Sequence, residues 1–350
     1  MIATPIVIAG HAVGPGERVR VDIPLPNLYT QTPVAMPVHV VQGRRPGPRL
    51  FITAALHGDE INGVEIIRRL LQHHGLDHLH GTLLAVPVVN VYGYIRQSRY
   101  LPDRRDLNRS FPGSDRGSLT ARLAATLINE VVAGSTHGID LHTGALHREN
   151  LPQVRAALDS CEAIPALARA FGTPVILDAE LRPGSLRATA AERGIPVLVY
   201  EAGEALRFDE FAVRAGLRGV LGVMRHLGMV RGRAGRRTIP RGPVVARSTL
   251  WVRAPQSGVL LSTTPLGVHV KADDTLGILA DPLRSADEPV IAPVGGIVIG
   301  RTNLPLVTEG EALYHVARFG EPETAAALVQ QYRDALDPDE AEDTEELVIM

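Results

Sequence analysis

The feature that most restricts the possible folds is a series of short apolar segments that alternate with helical patterns between residues 50 and 227. Residues 50–56 and 82–91 have the aliphatic composition of buried strands, and residues 138–141, 175–177 and 195–200 have the pattern of shorter strands. Residues 63–74, 118–132, 164–171, 186–193 and 208–227 have the pattern of helices. Such alternation is typical of parallel sheets that are covered on both faces. We therefore predict an α/β fold with a mixed, mostly parallel sheet flanked by helices.

The two ends of the chain differ from this central part. Residues 1–45 contain short strand patterns separated by glycine- and proline-bearing turns, and we expect these strands to pack on the main or the C-terminal domain. Residues 231–237 are basic and glycine-rich, which suits a linker or a solvated turn. Residues 240–320 lack helical patterns and repeat a short motif, at 254–259 and at 292–297, which predicts a smaller all-β barrel-sandwich domain. Residues 324–336 have the pattern of a closing helix, and residues 337–350 form an acidic tail.

Composition and charge exclude several classes of protein. The net charge of the 350-residue chain is −2, which gives no reason to expect nucleic acid or an anionic membrane as a partner. The single cysteine, Cys161, excludes an intrachain disulfide and a thiolate zinc knuckle. The N-terminal segment lacks the basic and apolar regions of a signal peptide, and no apolar run approaches the length of a membrane span. We therefore expect a cytoplasmic protein, either monomeric or homo-oligomeric.

Three polar motifs interrupt the apolar pattern, and two of them contain candidate metal ligands. His57 and Glu60 are three residues apart, so on one helical turn or in a tight loop their side chains project together. A third ligand has to come from elsewhere, and His142, at the end of the strand pattern 138–141, is the natural candidate. Two histidines and one carboxylate leave an open coordination position, as catalytic zinc requires. The sequence therefore predicts one Zn²⁺ per chain, although this ligand mix also suits other first-row metals.

The third motif, residues 106–109, lies in the long polar segment 93–117, for which no regular structure is predicted. Metal-bound histidines usually donate their second ring N–H to a carboxylate, and Asp106 and Asp140 are the candidates for this role. Either carboxylate also suits a plain turn or strand-end cap. Asn108 and Arg109 have the donor geometry that binds a substrate carboxylate.

Hydrolysis of an amide at a metal also needs a general base. Glu201 follows the strand pattern 195–200, which places it at the carboxyl edge of the predicted sheet, where sites of α/β proteins lie. Glu204 is its main competitor, followed by Asp178 and Glu180.

Three sequence strings resemble those of a known family. His-Gly-Asp-Glu at 57–60, Asp-Leu-Asn-Arg-Ser-Phe-Pro-Gly at 106–113 and Asp-Leu-His-Thr-Gly at 140–144 stand in the order typical of the succinylglutamate desuccinylase/aspartoacylase family, within the zinc carboxypeptidase-like superfamily. The resemblance covers about residues 45–230. It implies zinc bound by His57, Glu60 and His142, with Asp106 behind His57, Glu201 as the base, and Asn108 and Arg109 on the substrate carboxylate.

The family also uses an arginine shortly before the Asp-Leu-Asn-Arg string to polarise the scissile carbonyl. Arg99 resembles that residue, and Arg104 and Arg105 compete with it because they lie closer to the string. The segment 142–150 departs from the aspartoacylase pattern, so specificity for acetylaspartate or succinylglutamate is not implied. The C-terminal repeat resembles a lipoyl/biotinyl domain. It lacks a Met-Lys-Met-like modification site, because Lys271 stands elsewhere in the repeat, so we expect a covering or oligomer-forming domain.

These observations lead to one main functional hypothesis and two alternatives. The first is a zinc-dependent deacylase that cleaves an N-acyl amino acid, or a similar small amide with a free carboxylate, by Glu-assisted attack of zinc-bound water. The second is a metallocarboxypeptidase that trims acidic or isopeptide tails. The third, from another class, is a metal-binding scaffold without catalysis, which the complete set of expected ligands and base disfavours.

Overall fold

A computed structural model describes residues 2–231, 243–261, 264–283, 287–320 and 322–336 of the chain. The basic segment proposed as a linker lies outside the described residues from position 232 onward, and so does the whole acidic tail. None of the helices in the described ranges combines the length and apolar character that a bilayer crossing requires.

Nineteen strands and seven helices make up the described regular structure, apart from short 3₁₀ turns and one π-helical turn. The strands are β1 Ile6–Ile8, β2 His11–Val13, β3 Arg18–Leu25, β4 Val34–Gln42, β5 Arg45–Ala54, β6 His80–Val86, β7 His137–Gly144, β8 Arg148–Ala156, β9 Val175–Asp178, β10 Val197–Glu204, β11 Val244–Ala246, β12 Ser248–Arg253, β13 Gly258–Leu261, β14 His269–Val270, β15 Thr275–Ala280, β16 Asp287–Ile291, β17 Gly296–Thr302, β18 Leu306–Val307 and β19 Ala312–Arg318. The helices are α1 Asn62–Gln72, α2 Val91–Ile95, α3 Leu119–Leu127, α4 Ile164–Phe171, α5 Leu186–Ala191, α6 Glu210–His226 and α7 Pro322–Asp334.

One large mixed sheet runs through most of the molecule. Its main order is β12-β19-β17-β8-β10-β7-β5-β6-β4-β3, and β9, β11 and β14 pair with it outside this path. The four central strands, β10, β7, β5 and β6, are parallel to one another, whereas β4 and β8 join them antiparallel on either side. The carboxyl ends of the central strands therefore meet at one edge, and the polar motifs at 57–60, 140–142 and 201 all lie there.

Alternation along the strands divides the apolar residues between the two faces of this sheet. In β5, Leu50 and Ile52 join the core with helices α1, α4 and α6. Phe51 belongs instead to a second core with α3 and α5. The sheet is therefore covered by helices on both faces, and the predicted α/β fold class is confirmed.

The described residues of the C-terminal part are all β apart from helix α7. Strands β16, β15, β13 and β18 form a separate four-stranded antiparallel sheet. A third apolar core lies between this sheet and strands β12, β14, β17 and β19 of the large sheet. The two copies of the repeated motif precede β13 and β17, one strand of each sheet. We refer to residues 243–320 of this part, as far as they are described, as the C-terminal unit.

The structure differs from the prediction at three places. Strand β8 was not predicted, because its charged and amide side chains hide the alternation. The stretch predicted as a strand at 82–91 ends at Val86, and residues from Val91 begin the short helix α2. The segment 93–117, predicted to lack regular structure, contains the end of α2 and a 3₁₀ turn at Leu107–Arg109.

Candidate metal centre and active site

The turn that carries His57 and Glu60 connects strand β5 to helix α1. The Glu60 N–H donates to the His57 carbonyl at 3.1 Å, which closes a tight turn and brings the two side chains together. Gly58 allows helix α2 to pack closely on this turn, because a Cβ at that position would lie 2.0 Å from the Gly93 carbonyl carbon of that helix. The predicted tight-loop arrangement of these two residues is therefore present.

Strand β7 brings His142 to the same place. The Nδ1 atoms of His57 and His142 each lie 2.7 Å from a different oxygen of Glu60. All three side chains are buried, and their candidate ligand atoms lie within 4.8 Å of one another. His142 lies inside strand β7, two residues before its end, rather than directly after a strand as the sequence indicated. The structure thus brings together the three residues that were predicted as metal ligands.

Charge pairing within this cluster changes the pKa of each member. Burial alone would lower the pKa of His57 and His142, but the carboxylates that face them outweigh burial and raise both pKa values. Burial alone would raise the pKa of Glu60, but the two imidazoles hold it well below its usual range. A divalent cation that binds here has to displace imidazole protons, so its affinity depends on pH.

The second ring nitrogens of both histidines are held by carboxylates. His57 Nε2 lies 3.1 Å from Asp106 Oδ1, and His142 Nε2 lies 2.8 Å from Asp140 Oδ2. Asp140 is fixed in turn by the Thr53 hydroxyl, which donates to it at 2.7 Å. Carboxylates in this position orient an imidazole so that Nδ1 faces a metal. The donor set of two imidazoles and one carboxylate, with both rings fixed in this way, fits Zn²⁺.

Among the three candidate arginines, Arg99 alone has an ion pair with this cluster in the described part of the chain. Its guanidinium contacts Glu60 Oε1 at 3.2 Å and Asp106 Oδ2 at 3.0 Å. Burial lowers the pKa of Arg99, but Glu60 and Asp106 more than compensate and raise it. Arg104 and Arg105 are exposed. Distance along the sequence favoured the latter two, but the loop folds back so that the more remote arginine reaches the cluster.

The 3₁₀ turn after Asp106 presents Asn108 and Arg109. The Asn108 backbone N–H donates to Asp106 Oδ1 at 2.8 Å, which caps the turn. The Asn108 side-chain oxygen accepts from the Leu186 N–H at 3.0 Å, so the amide nitrogen is the end left for a ligand. Arg109 is exposed. The turn thus joins the cluster on one side and the start of helix α5 on the other.

Glu201 lies in strand β10 beside His142, because these two residues are register partners in the parallel pair β10–β7. Its Oε2 accepts from Asn150 Nδ2 at 2.9 Å and from Arg155 Nη2 at 3.0 Å. The sequence placed Glu201 directly after its strand, but β10 continues to Glu204.

The competitor Glu204 binds protein groups at both oxygens. Its Oε1 accepts from the His147 N–H at 3.0 Å, and its Oε2 accepts from Asn303 Nδ2 at 3.0 Å. It therefore ties two connecting segments together. Of the more distant candidates, Asp178 accepts from the Leu158 N–H, and Glu180 is exposed.

Several polar residues near Glu201 were missed by sequence reasoning. Asn150, Gln153 and Arg155 come from the unpredicted strand β8, in which Gln153 is the register partner of Glu201. Gln153 is fully buried, and neither end of its amide has a partner among the described residues. A run of polar residues follows the 140–144 motif in the sequence. This run was the available signal, because a strand that lines a site carries polar side chains.

The catalytic domain of succinylglutamate desuccinylase/aspartoacylase matches residues 46–227, more than half of the chain. The chain belongs to the succinylglutamate desuccinylase/aspartoacylase family. This is a family of deacylase-type hydrolases. The candidate site residues described above, from His57 to Glu201, all lie within the matched range.

The similarity to known proteins extends beyond the catalytic domain. The N-alpha-acetyl-L-2,4-diaminobutyric acid deacetylase of Halomonas elongata is 29% identical over 302 residues, which cover 82% of this chain and 87% of the relative. A crystal structure of a succinylglutamate desuccinylase/aspartoacylase from Rhodobacter sphaeroides is 26% identical, with a TM-score of 0.78, and covers 91% of this chain and 99% of that one. The product-bound ectoine utilization protein EutE (DoeB) from Ruegeria pomeroyi is 23% identical, with a TM-score of 0.77 and coverages of 90% and 98%, and shares the fold.

Proposed function

We propose that this chain is a zinc-dependent deacylase that cleaves the amide bond of an N-acyl amino acid, or of a similar small amide with a free carboxylate. The observation that carries the proposal is the convergence of His57, Glu60 and His142, with both imidazoles held from behind by carboxylates. A metal-binding scaffold without catalysis does not require an arginine and a second glutamate beside its metal ligands. We assign the chemistry to residues 46–230.

In this proposal each residue of the site has a separate task. His57, Glu60 and His142 would hold one Zn²⁺, which would act as a Lewis acid and lower the pKa of a water molecule. Glu201 is the general base: its carboxylate takes a proton from the attacking water and delivers it to the leaving nitrogen. Arg99 stabilises the negative charge that develops on the carbonyl oxygen, because its guanidinium lies beside the metal ligands.

The substrate carboxylate is assigned to the turn after Asp106. Arg109 offers a planar, permanently charged fork, and the amide nitrogen of Asn108 adds a donor. Asn108 is fixed through Leu186, so this clamp has a defined position relative to the metal ligands. The curated relative from Halomonas elongata is named for a small N-acetylated amino acid, which supports a substrate of this size.

The test is hydrolysis by the zinc-loaded protein of a panel of N-acyl amino acids and of peptides that end in glutamate or aspartate. Glu201→Gln is the inactive variant, and Glu204→Gln is the matched control on the same strand. Turnover of small acyl amino acids that is lost in Glu201→Gln and kept in Glu204→Gln is the expected result. Activity on the peptides alone would make the chain a carboxypeptidase. Zinc binding without any turnover would reject the deacylase.

A further inference from the structure

The carboxylate of Glu201 is held from one side. Asn150 Nδ2 and Arg155 Nη2 both donate to the same oxygen, Oε2, at 2.9 and 3.0 Å. Both donors come from strand β8, which pairs with β10. Two bonds to one oxygen restrict rotation of the carboxylate, and Oε1 is the oxygen left to take a proton.

Asn150 itself is held between the catalytic sheet and the C-terminal unit. It is the register partner of Gly203 in β10 on one side and of Gly300 in β17 on the other. Strand β17 belongs to the C-terminal unit, so the side chain that holds Glu201 lies against that unit directly.

Gly300 leaves no spare room at this contact. A Cβ at position 300 would lie 2.9 Å from Asn150 Oδ1 and 3.2 Å from the Cβ of His315 on strand β19. The first distance is too short for a carbon atom beside an amide oxygen. The added Cβ cannot move toward His315 instead, because the His315 ring stacks on Trp251, with ring centroids 4.5 Å apart. The absence of a side chain at Gly300 therefore lets the Asn150 amide lie where it reaches Glu201.

We infer that the C-terminal unit positions the general base of the reaction, and that it does so through Gly300 and Asn150. The inference rests on the proposed role of Glu201. Asn150 and Gly300 are positioning residues: Asn150 fixes the carboxylate oxygen that does not take the proton, and Gly300 fixes Asn150. Under this assignment the C-terminal unit is part of the catalytic apparatus, and its role is not that of a cofactor carrier.

The first experiment is a mutant cycle on kcat with zinc-loaded Asn150→Ala, Gly300→Ala and the double variant. Because hydrogen bonds to charged groups are among the stronger ones, each single change should lower kcat by about ten- to hundredfold while KM stays within about twofold. The double variant should be no slower than Asn150→Ala alone, since Gly300 acts only through that amide. Gly295→Ala is the matched control, because its Cβ would meet its nearest neighbour, the Val270 carbonyl oxygen, at an ordinary 3.4 Å. It should keep full activity.

Crystal structures of the zinc-loaded wild type, Gly300→Ala and Gly295→Ala supply a readout that needs no substrate. The inference requires that Asn150 is displaced and the Asn150–Glu201 bond is lost in Gly300→Ala, but not in Gly295→Ala. Losses of kcat that add in the double variant, or a Glu201 that keeps its position in Gly300→Ala, would overturn the inference. Failure of the proposed function looks different: the wild type itself would then turn over none of the small acyl amino acids, or Glu201→Gln would keep full activity.

Discussion

Individual carboxylates determine how well the two histidines of the candidate metal centre are oriented. Asp140 is buried and links Thr53 to His142, whereas Asp106 reaches His57 from a loop. The loop carboxylate is shared with Arg99, but Asp140 has no ion pair with an arginine among the described residues. Orientation of His142 should therefore depend strongly on this one aspartate.

We predict that Asp140→Asn lowers the zinc affinity of the protein by about 10- to 100-fold, because the charge behind the imidazole is lost while the shape is kept. Competition with a chelator of known affinity measures the change. Asp22→Asn is the control, since Asp22 is exposed and pairs only with Arg20 among the described residues. Equal affinities of Asp140→Asn and the wild type would contradict the role given to Asp140.

His315 is a buried histidine whose protonation opposes folding. Burial, and to a lesser extent Arg155, lowers the pKa of His315 to about 3. In the unfolded chain the pKa is about 6.5, so below that pH the unfolded state binds a proton that the folded state excludes. Its contribution to stability is therefore complete above about pH 6.5 and is lost as the pH falls toward 3.

Accordingly, the stability of the wild type should fall more steeply with acid than that of His315→Gln. The expected difference in slope is about 1.4 kcal/mol per pH unit between pH 6 and pH 4, the value for one proton. Urea unfolding at a series of pH values measures it. Loss of the ring stack on Trp251 lowers stability at every pH, so only the slope tests this prediction. Parallel curves would mean that the folded protein accepts the proton.

At this scale the sequence identified the residues that belong to recognisable motifs. His57, Glu60 and His142 meet because each stands beside a strand end, which periodicity reveals. Asn150 and Arg155 were not predicted, because their contact with Glu201 depends on the pairing of β8 with β10. Local sequence patterns do not reveal which strands pair.

Among the elements, helix α1 begins two residues after the candidate ligand Glu60 and packs against the strand that contains His142. A Cβ at Gly63 would lie 2.7 Å from the Ala54 Cβ of β5 and 2.8 Å from the Leu141 Cβ of β7. The helix can approach both strands only because this position is glycine. Glu60 lies two residues before the first residue of the helix, and His142 follows Leu141, so the same approach sets the distance between two candidate ligands.

Gly63→Ala should therefore push the helix away from the sheet. We expect a loss of about 1–3 kcal/mol in the free energy of unfolding, as for other overpacked cores, together with weaker zinc binding. Urea denaturation and chelator competition test the two effects. Gly320→Ala, whose Cβ would meet no atom of the described residues within 4 Å, is the control and should change neither.

The elements that sequence predicted best are those whose apolar pattern faces a core on one or both sides. Strand β8 was not predicted because part of it faces the site and therefore carries polar side chains. Pro152 further obscures the strand pattern in the sequence. The short helix α2 could not be predicted from periodicity either, because it has only five residues and is fixed by the Asn90 side chain, which accepts from the Gly93 N–H at 2.8 Å.

For the whole molecule, the shared sheet predicts cooperative behaviour. Strand β8 bonds to β10 in the catalytic part and to β17 in the C-terminal unit, so neither part can unfold without exposing the edge of the other. We expect a single thermal transition, and zinc should raise its midpoint because it binds only the folded state with high affinity. Calorimetry with and without zinc tests both points. His57→Ala should remove the zinc-dependent shift, and two separate transitions would refute the shared cooperativity.

The large sheet also determines how a substrate can reach the metal centre. Many two-part enzymes admit their substrates by a hinge, in which one rigid body swings away from the other. Here such a swing would have to break the backbone hydrogen bonds between β8 and β17, which lie next to the site itself. A substrate therefore has to enter and leave while β8 and β17 stay paired, over a frame that stays closed throughout turnover.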